Sequence, residues 1–98
     1  MAKVYKNISS PTTVTLISKG FDRLDGNIKK ITIANQASAT NSTVKLFLDN
    51  GTSDFIITKT VIPPQVTLVL NDNLSFDSSI FNLKITTDSV ADITIIIN

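Results

Sequence analysis

The chain has 98 residues and a formal net charge of +1, with 17% charged and 42% hydrophobic residues. This length favours one domain, and the low charge argues against disorder and against a strong field toward nucleic acid or an anionic membrane. Cysteine and histidine are both absent, which excludes disulfides, the usual zinc and copper ligands, and catalytic triads that need histidine or cysteine.

Short apolar segments alternate with turn residues along the whole chain. β-Branched residues favour strands, and Ser, Asn, Asp and Gly supply turns, so the composition predicts an all-β domain. The spacing of the segments, ~8–12 residues, is typical of sandwiches and barrels. We therefore predict a single antiparallel β-sandwich over residues 1–98, jelly-roll or Ig-like, with about eight strands. The predicted strands are 3–8, 12–18, 28–35, 43–49, 55–62, 65–70, 80–87 and 92–98.

Alternation within each strand assigns side chains to an inward or an outward face. In the second strand, Val14 and Leu16 share one face, so Ile17 is expected on the other face with two threonines. The residues expected to face the core are Val14, Leu16, Ile31, Ile33, Val44, Leu46, Leu48, Val66, Leu68, Leu70, Phe81, Leu83, Ile85, Ile93, Ile95 and Ile97.

The fourth and fifth predicted strands should form a hairpin, because Asn50-Gly51 between them is a strong tight-turn signal. Phe47 is expected to point outward from the first of these strands. The second, 55–62, carries apolar residues on both faces. That pattern predicts either an inner strand or a strand whose outer face meets a partner.

A double proline at 63–64 follows this hairpin. Proline lacks an N–H and disfavours helix before it, so the pair should end one strand and carry the chain across the rim to the next. In the turn-rich segment after the sixth strand, Leu74 and Phe76 are expected to plug one end of the core. The apolar final strand is expected to be paired, since a free apolar edge invites strand addition.

Surplus outward apolar residues favour a self-assembly or docking surface over any catalytic site. A domain of this size has too little interior for every large apolar group, and a homo-oligomer is the usual way to cover the remainder. The alternative is that a second sheet covers them all. The predicted interface residues are Phe47, Ile56, Thr58, Thr67, Val69 and Ile96.

Loop carboxylates allow two further hypotheses. A calcium site would use the oxygens of 49–54 or 71–73, although neither has EF-hand spacing and the chain has no glutamate. A small hydrolase would need paired carboxylates in a pocket. The turn-capping role of Asp and Asn explains the same residues, and we favour it for both. The carboxylates considered for hydrolysis are Asp22, Asp25, Asp72 and Asp77.

One basic cluster is present, and we interpret it as a solvated patch, because a nucleic-acid face usually adds excess charge or stacking aromatics. The cluster consists of Lys19, Arg23, Lys29 and Lys30. The longest apolar run is far short of the ~18 residues of a membrane helix. We expect no nucleic-acid partner, no membrane and no cofactor.

Four segments in a fixed order carry a resemblance to a known group of proteins. They are IKKITIAN, VKLFLDNG, FIITKTVIPPQVTLVLNDNLSF and FNLKITT, which together span residues 28–87. This order resembles a loose family of small all-β structural proteins of tailed bacteriophages, and the low-charge, Asn- and Ile-rich composition is similar to phages of marine cyanobacteria.

The resemblance implies a virion component that decorates or stabilises the head, or lies in the neck or tail. It implies synthesis in the host cytoplasm, residence in the particle, and partnership with itself and other virion proteins. It carries over no catalytic residue. The matching positions are implied fold determinants: Ile31, Ile33, Ala34, Asn35, Ile62, Pro63, Thr67, Leu68, Val69 and Leu70.

Two other functions remain open from the residues. A glycan-binding sandwich of a host-recognition apparatus would stack sugars on exposed aromatics, for which only Tyr5, Phe21 and Phe47 are candidates. The second is the hydrolase that uses the loop aspartates.

Overall fold

The computed structural model describes residues 4–10, 12–19, 27–71, 74–77, 79–88 and 92–97. None of the described residues forms a helix, and so none belongs to a helix that could cross a membrane. The strands in chain order are Val4–Ile8 (β1), Thr12–Ile17 (β2), Asn27–Ile28 (β3), Ile31–Asn35 (β4), Ser42–Asp49 (β5), Asp54–Ile62 (β6), Thr67–Leu70 (β7), Leu74–Ser75 (β8), Asn82–Thr87 (β9) and Ile93–Ile97 (β10).

Eight of these strands form two antiparallel four-stranded sheets that pack together. The first sheet has the order β1-β10-β4-β7, and the second has the order β2-β9-β5-β6. Without the short β3–β8 pair, the first strand pairs with the last, the second with the seventh, the third with the sixth and the fourth with the fifth. This nested pairing around the β5–β6 hairpin is a jelly roll, one of the two sandwich types that the sequence predicts. An Ig-like sandwich has a different strand order.

Inward-facing residues of both sheets form one core. Ile33, Ile95 and Leu46 are fully buried, and burial of such a side chain stabilises the fold by roughly 1.5–3 kcal/mol. The final strand, β10, is paired on both sides, as expected. The buried cluster consists of Ile8, Leu16, Ile17, Ile28, Ile31, Ile33, Val44, Leu46, Ile62, Leu83, Ile85, Ile93, Ile95 and Ile97.

The predicted strand 28–35 is two elements. Ile28 belongs to β3, which pairs with β8 through Leu74, and β4 begins at Ile31. The β3–β8 pair therefore joins the segment that leads into β4 to the segment that follows β7. Leu74 and Phe76 pack against the core from this pair and the residue after it, which confirms the predicted plug.

A β-bulge in β2 reverses the expected orientation of Ile17. Thr15 pairs with Lys84 and Ile17 pairs with Leu83, so Leu16 is an extra residue between two regular pairs. An extra residue shifts the alternation by one position. Leu16 and Ile17 are therefore both buried in the core, and the prediction that Ile17 faces outward is wrong.

A second bulge, in β6, decides which apolar residues after it face the core. Phe47 pairs with Ile56 and Leu46 pairs with Thr58, so Ile57 is the extra residue. Before the bulge Phe55 is on the inward side; after it Ile62 is on the inward side and is buried. Since β6 lies at the edge of the second sheet, the expectation of an inner strand is wrong.

The double proline carries the chain from β6 in the second sheet to β7 in the first, as expected for a rim crossing. Gln65 follows with a positive φ of 62°, a conformation that disfavours side chains with a Cβ. Val66 is 43% exposed and precedes β7, so its predicted inward position is wrong. Its carbonyl accepts the Asn35 N–H at 3.0 Å.

Asn35 is only 1% exposed, and it makes hydrogen bonds to three chain segments at this rim. Its amide nitrogen Nδ2 donates to the Thr40 and Ile62 carbonyls, each at 2.9 Å. Its Oδ1 accepts the Ala37 N–H at 3.1 Å, and its own carbonyl accepts the Gln65 N–H at 2.9 Å. The amide therefore satisfies backbone groups that the loops leave without a ladder partner.

Each of the four edge strands has a feature that opposes strand addition. In β1, Lys6 lies opposite the buried Ile95 and is exposed, so a charge stands on the inward side of that edge. The edge strand β7 has only four residues. The other two edges, β2 and β6, carry the bulges. The edges are therefore poor templates for another strand, and the two outer sheet faces are the larger surfaces left for contact.

Candidate docking faces

Among the paired residues of β1, β10, β4 and β7, those on the outer face of the first sheet are all uncharged. The register of its four strands places two outward residues from each strand side by side. We call this surface the uncharged face. It consists of Tyr5 and Asn7 from β1, Thr94 and Ile96 from β10, Thr32 and Ala34 from β4, and Thr67 and Val69 from β7.

These eight residues form two rows across the sheet. The first row runs Tyr5, Ile96, Thr32, Val69 and contains three of the exposed large hydrophobic side chains. Tyr5 is 64% exposed, Val69 46% and Ile96 37%. The second row is polar or small, and in it the Thr94 hydroxyl donates to Asn7 Oδ1 at 2.9 Å. Depletion of charge with retained aromatic and apolar area is the composition of an interface centre.

The outer face of the second sheet is chemically different, and we call it the charged face. It presents Lys45, Lys59, Lys84, Asp49 and Asp54 at outward positions of its strands. Lys84 Nζ lies 2.9 Å from Asp49 Oδ2. The Lys84 ammonium, and next the Gly51 N–H, lower the pKa of Asp49 below its ordinary value of 3.8.

The Asp49–Lys84 ion pair predicts a loss of stability in acid. Because the folded pKa of Asp49 is lowered, the contribution of its carboxylate is fully present above pH 3.8 and is lost as the pH falls through the lower folded value. Thermal unfolding midpoints measured from neutral pH to below this value should fall. The acid-induced drop should be smaller in Asp49→Asn and in Lys84→Gln; equal drops in all three proteins would contradict this role.

Phe47 lies on the charged face but is only 5% exposed. Lys45 Nζ is 4.9 Å from the centroid of its ring, in cation–π geometry. Phe47 points outward, as predicted. Because its side chain is buried, the prediction that it is available to a partner or to a sugar is wrong. Of the other two aromatics considered for glycan stacking, Tyr5 is exposed and Phe21 lies outside the described residues.

Lys45 and Lys59 stand directly opposite each other on β5 and β6. They line an open depression of about 310 Å³ together with Thr43, Thr86 and Asp88. Neither lysine belongs to an ion pair within the described part of the chain. Sequence reasoning missed this juxtaposition because it depends on the bulge. With regular pairing from the Asn-Gly turn, Lys59 would face Val44 on the inward side.

The lysine pair predicts a stabilising charge change. Like charges directly opposite on antiparallel strands are unfavourable, and opposite charges are favourable by a similar amount. Lys59→Glu should raise the free energy of unfolding by about 0.5 kcal/mol, measured by urea denaturation at low salt. Lys59→Gln should give a smaller gain, and added salt should reduce both because it screens exposed charges. A lower stability for Lys59→Glu would show that the repulsion is negligible.

The six predicted interface residues do not form one surface. Thr67, Val69 and Ile96 belong to the uncharged face. Phe47 and Ile56 belong to the charged face on the opposite side of the sandwich. Thr58 lies on the inward side opposite Leu46 and is half-buried. The set omits two of the four residues of the first row, Tyr5 and Thr32, and both β1 residues of the face, since the alternation in β1 is weak.

The predicted basic cluster is only partly described. Lys19, Lys29 and Lys30 are exposed, and Arg23 lies outside the described residues. The Lys19 N–H donates to Asn82 Oδ1 at 2.7 Å, which holds the end of the β2 connection against β9.

Aspartates in the described loops act as turn residues. Asp77 Oδ1 accepts the N–H and the hydroxyl of Ser79, and those two donors lower the pKa of Asp77. A lowered pKa is the opposite of what a general acid needs. The other carboxylates considered for hydrolysis, Asp22, Asp25 and Asp72, lie outside the described residues.

The predicted calcium loop at 49–54 is occupied by its own hydrogen bonds. Asp49 Oδ1 accepts the Gly51 N–H at 2.9 Å, and Asn50 Oδ1 accepts the Thr52 and Ser53 N–H groups at 3.0 and 2.8 Å. Among the described residues, no three acidic side chains gather in a metal-binding group. In the second candidate loop, 71–73, two of the three residues fall outside the described ranges.

The architecture defines a single-jelly-roll protein whose most distinctive surface is an uncharged sheet face. No protein-family model matches the chain, and no curated protein matches its sequence. Function is therefore inferred from the chemistry of the two faces and from the resemblance of residues 28–87.

Proposed function

We propose that this protein is a non-enzymatic structural component of a tailed-bacteriophage particle. It serves as a head decoration or as a neck or tail connector, and it acts by packing its uncharged face against protein neighbours. The observation that carries this proposal is an uncharged outer sheet face on a domain whose four edges all oppose strand addition.

The chemistry of the face supports a protein partner. A solvated sheet face normally carries charged residues, as the charged face of this same domain does. The uncharged face instead exposes Tyr5, Ile96 and Val69 in one row. Tyrosine and aliphatic side chains release water from apolar surface when covered, and a threonine-rich surround supplies hydrogen bonds without the desolvation of a charge.

The fold and the resemblance support the proposed place of this protein in a phage particle. Jelly rolls occur in viral capsid proteins, and also in lectins and cupins, so the fold alone does not specify a function. Three of the residues that carry the resemblance help to hold this jelly roll together: Ile31 and Ile33 are buried, and Asn35 joins the loops at one rim. These three roles agree with the implied place of Ile31, Ile33 and Asn35 as fold determinants, whereas Thr67 and Val69 lie on the exposed outer face.

Mass spectrometry of particles purified from the phage that encodes this chain tests the proposal. The protein should be present in several copies per particle and should remain after density-gradient purification. A phage protein made early in infection and known not to enter particles serves as the control for contamination. Absence of the chain from particles that retain their head, neck and tail proteins would refute the proposal.

A further inference from the structure

We propose that β1 is exchanged between two copies of this chain: the β1 strand of each copy leaves its own sheet and pairs with β10 of the other copy. This inference goes beyond the proposed function and does not depend on it, because it concerns how one strand is held in the fold. The edge of β10 binds the β1 sequence within one copy. The same edge therefore fits β1 of a second copy through identical contacts.

β1 is held in place by few buried side chains. It lies at the edge of the first sheet, where its only strand neighbour is β10. Of its three inward positions, Ile8 is buried and Val4 is half-buried, whereas Lys6 is exposed opposite Ile95. Both outward residues are exposed as well. Release of β1 therefore uncovers less apolar surface than release of β10, which is paired on both sides.

The connection between β1 and β2 is short, and it crosses from the first sheet to the second. It consists of residues 9–11. The four Cα–Cα steps from Ile8 to Thr12 span at most ~14 Å, whereas packed sheets lie ~10 Å apart. The connection has little slack for closing back onto the same copy, and short connections of this kind favour exchange between copies.

Ser9 is the hinge residue of this exchange. The Thr87 hydroxyl donates to the Ser10 carbonyl at 3.4 Å, which holds Ser10 at the second sheet. Ser9 and Ser10 are exposed, and the proline that follows them in the sequence biases Ser10 toward extended backbone. A change of backbone conformation at Ser9 therefore redirects β1 away from its own sheet while β2 stays in place.

The exchange is reciprocal, so two copies form a closed pair around a two-fold axis. The pair keeps every β1–β10 contact, including the hydrogen bond from the Thr94 hydroxyl to Asn7 Oδ1. It therefore needs no large new surface to be stable. High concentration favours the exchanged pair over the closed monomer, as does any assembly that holds two copies close together.

Disulfide trapping in mixed samples tests the exchange, since the native chain has no cysteine. Tyr5 and Ile96 are directly opposite each other and are both exposed, and cysteines at such paired positions are within disulfide reach. A Tyr5→Cys chain and a size-tagged Ile96→Cys chain are unfolded in urea, refolded together at millimolar concentration and briefly oxidised. The mixed disulfide should form in several-fold excess over that from Tyr5→Cys with Val61→Cys, a valine exposed on the other sheet.

Mixing the same two chains only after each has folded separates exchange from a surface contact. The yield of mixed disulfide should then be several-fold lower, because β1 must first leave its own sheet. Equal yields from folded and from refolded mixtures would show that folded copies touch at these positions, and would refute the exchange. A yield no higher than that of the Val61→Cys control would refute it as well.

The length of the connection provides a second test. Deletion of Ser9 should raise the dimer fraction several-fold in analytical ultracentrifugation, and insertion of two glycines after Ser9 should lower the yield of mixed disulfide. A deletion variant that unfolds cooperatively as a monomer would refute the proposal. If the deletion variant does not fold, an unchanged disulfide yield in the insertion variant would refute it instead. None of these results alters the expected presence of the chain in particles, so the two proposals fail separately.

Discussion

Replacing Asn35 with alanine is expected to lower the free energy of unfolding by about 3 kcal/mol, because a buried donor or acceptor left without a partner costs ~1–3 kcal/mol. The change removes the donor to the Thr40 and Ile62 carbonyls and the acceptor for the Ala37 N–H. Domains of this size have total stabilities toward the low end of ~5–15 kcal/mol. Urea denaturation should therefore show a markedly earlier transition with an unchanged slope.

Asn35→Asp sharpens this prediction, since the two side chains have nearly the same shape. The aspartate keeps an acceptor for the Ala37 N–H but turns an oxygen toward two carbonyl oxygens. Burial and this contact raise the folded pKa of the introduced carboxyl above its unfolded value. The variant is then least damaged at low pH and loses further stability as the pH rises through the folded pKa.

Asn41 is the matched control for both variants, because it is an exposed asparagine in the same β4–β5 connection. Asn41→Ala should change the free energy of unfolding by no more than about 0.5 kcal/mol. If Asn35→Ala proves equally mild, or if Asn35→Asp is as stable at neutral pH as in acid, the rim is held by contacts other than this amide.

The bulge in β6 predicts that two single-residue deletions close together in the strand destabilise the protein to different extents. Deleting Thr58 lets Ile57 take its position opposite Leu46 and keeps Lys59 opposite Lys45. The strand becomes regular and loses one half-buried threonine, so the protein should fold with a loss of about 1–2 kcal/mol.

Deleting Thr60 offers no such solution. If the bulge disappears, Lys59 moves to the inward side opposite Val44. If the bulge stays, Ile62 turns outward and its carbonyl leaves Asn35. Loss of Ile62 burial costs roughly 1.5–3 kcal/mol, and the lost hydrogen bond adds to that. We expect this variant to be destabilised by at least about 3 kcal/mol in total.

Circular dichroism and urea denaturation of the two deletion variants compare these outcomes directly. The Thr58 deletion should also aggregate more readily at high concentration, since removal of a bulge makes an edge strand flatter and more open to pairing. Similar stabilities for the two deletions would mean that the register of β6 slips freely, and the inferred function of the bulge would then be wrong.

Much of the sandwich follows from local pattern. Alternating Ile, Val and Leu between turn residues predicts the eight main strands, and period-two alternation predicts most of the buried side chains, including Ile33, Leu46 and Ile95. The failures in β2 and β6 have one physical origin, whereas Val66 is misplaced because it belongs to the rim crossing and not to β7. Strict alternation predicts the orientation of Ile17 and of the apolar residues of β6, whereas a bulge inserts an extra residue and shifts that alternation by one position.

The docking faces show the same division. The outward positions of Thr67, Val69 and Ile96 can be read from their own strands. The position of Ile96 between Tyr5 and Thr32 depends on two long-range pairings, β1 with β10 and β10 with β4. The same pairings bring the uncharged outward residues of these strands together. Local periodicity says nothing about which strands become neighbours, because that choice depends on long-range closure of the core.

By itself, the sequence determined that this chain is an all-β domain and that it lacks the residues for histidine- or cysteine-based chemistry. It also determined which strands have one face exposed to solvent. Only the tertiary structure decided that the sandwich is a jelly roll and that the Asn35 side chain hydrogen-bonds backbone groups at one rim. It also decided that the outward residues form one uncharged and one charged face. The physical reason is that composition and periodicity act within a few residues, whereas sheet order, bulges and shared hydrogen bonds are set by partners far apart in the chain.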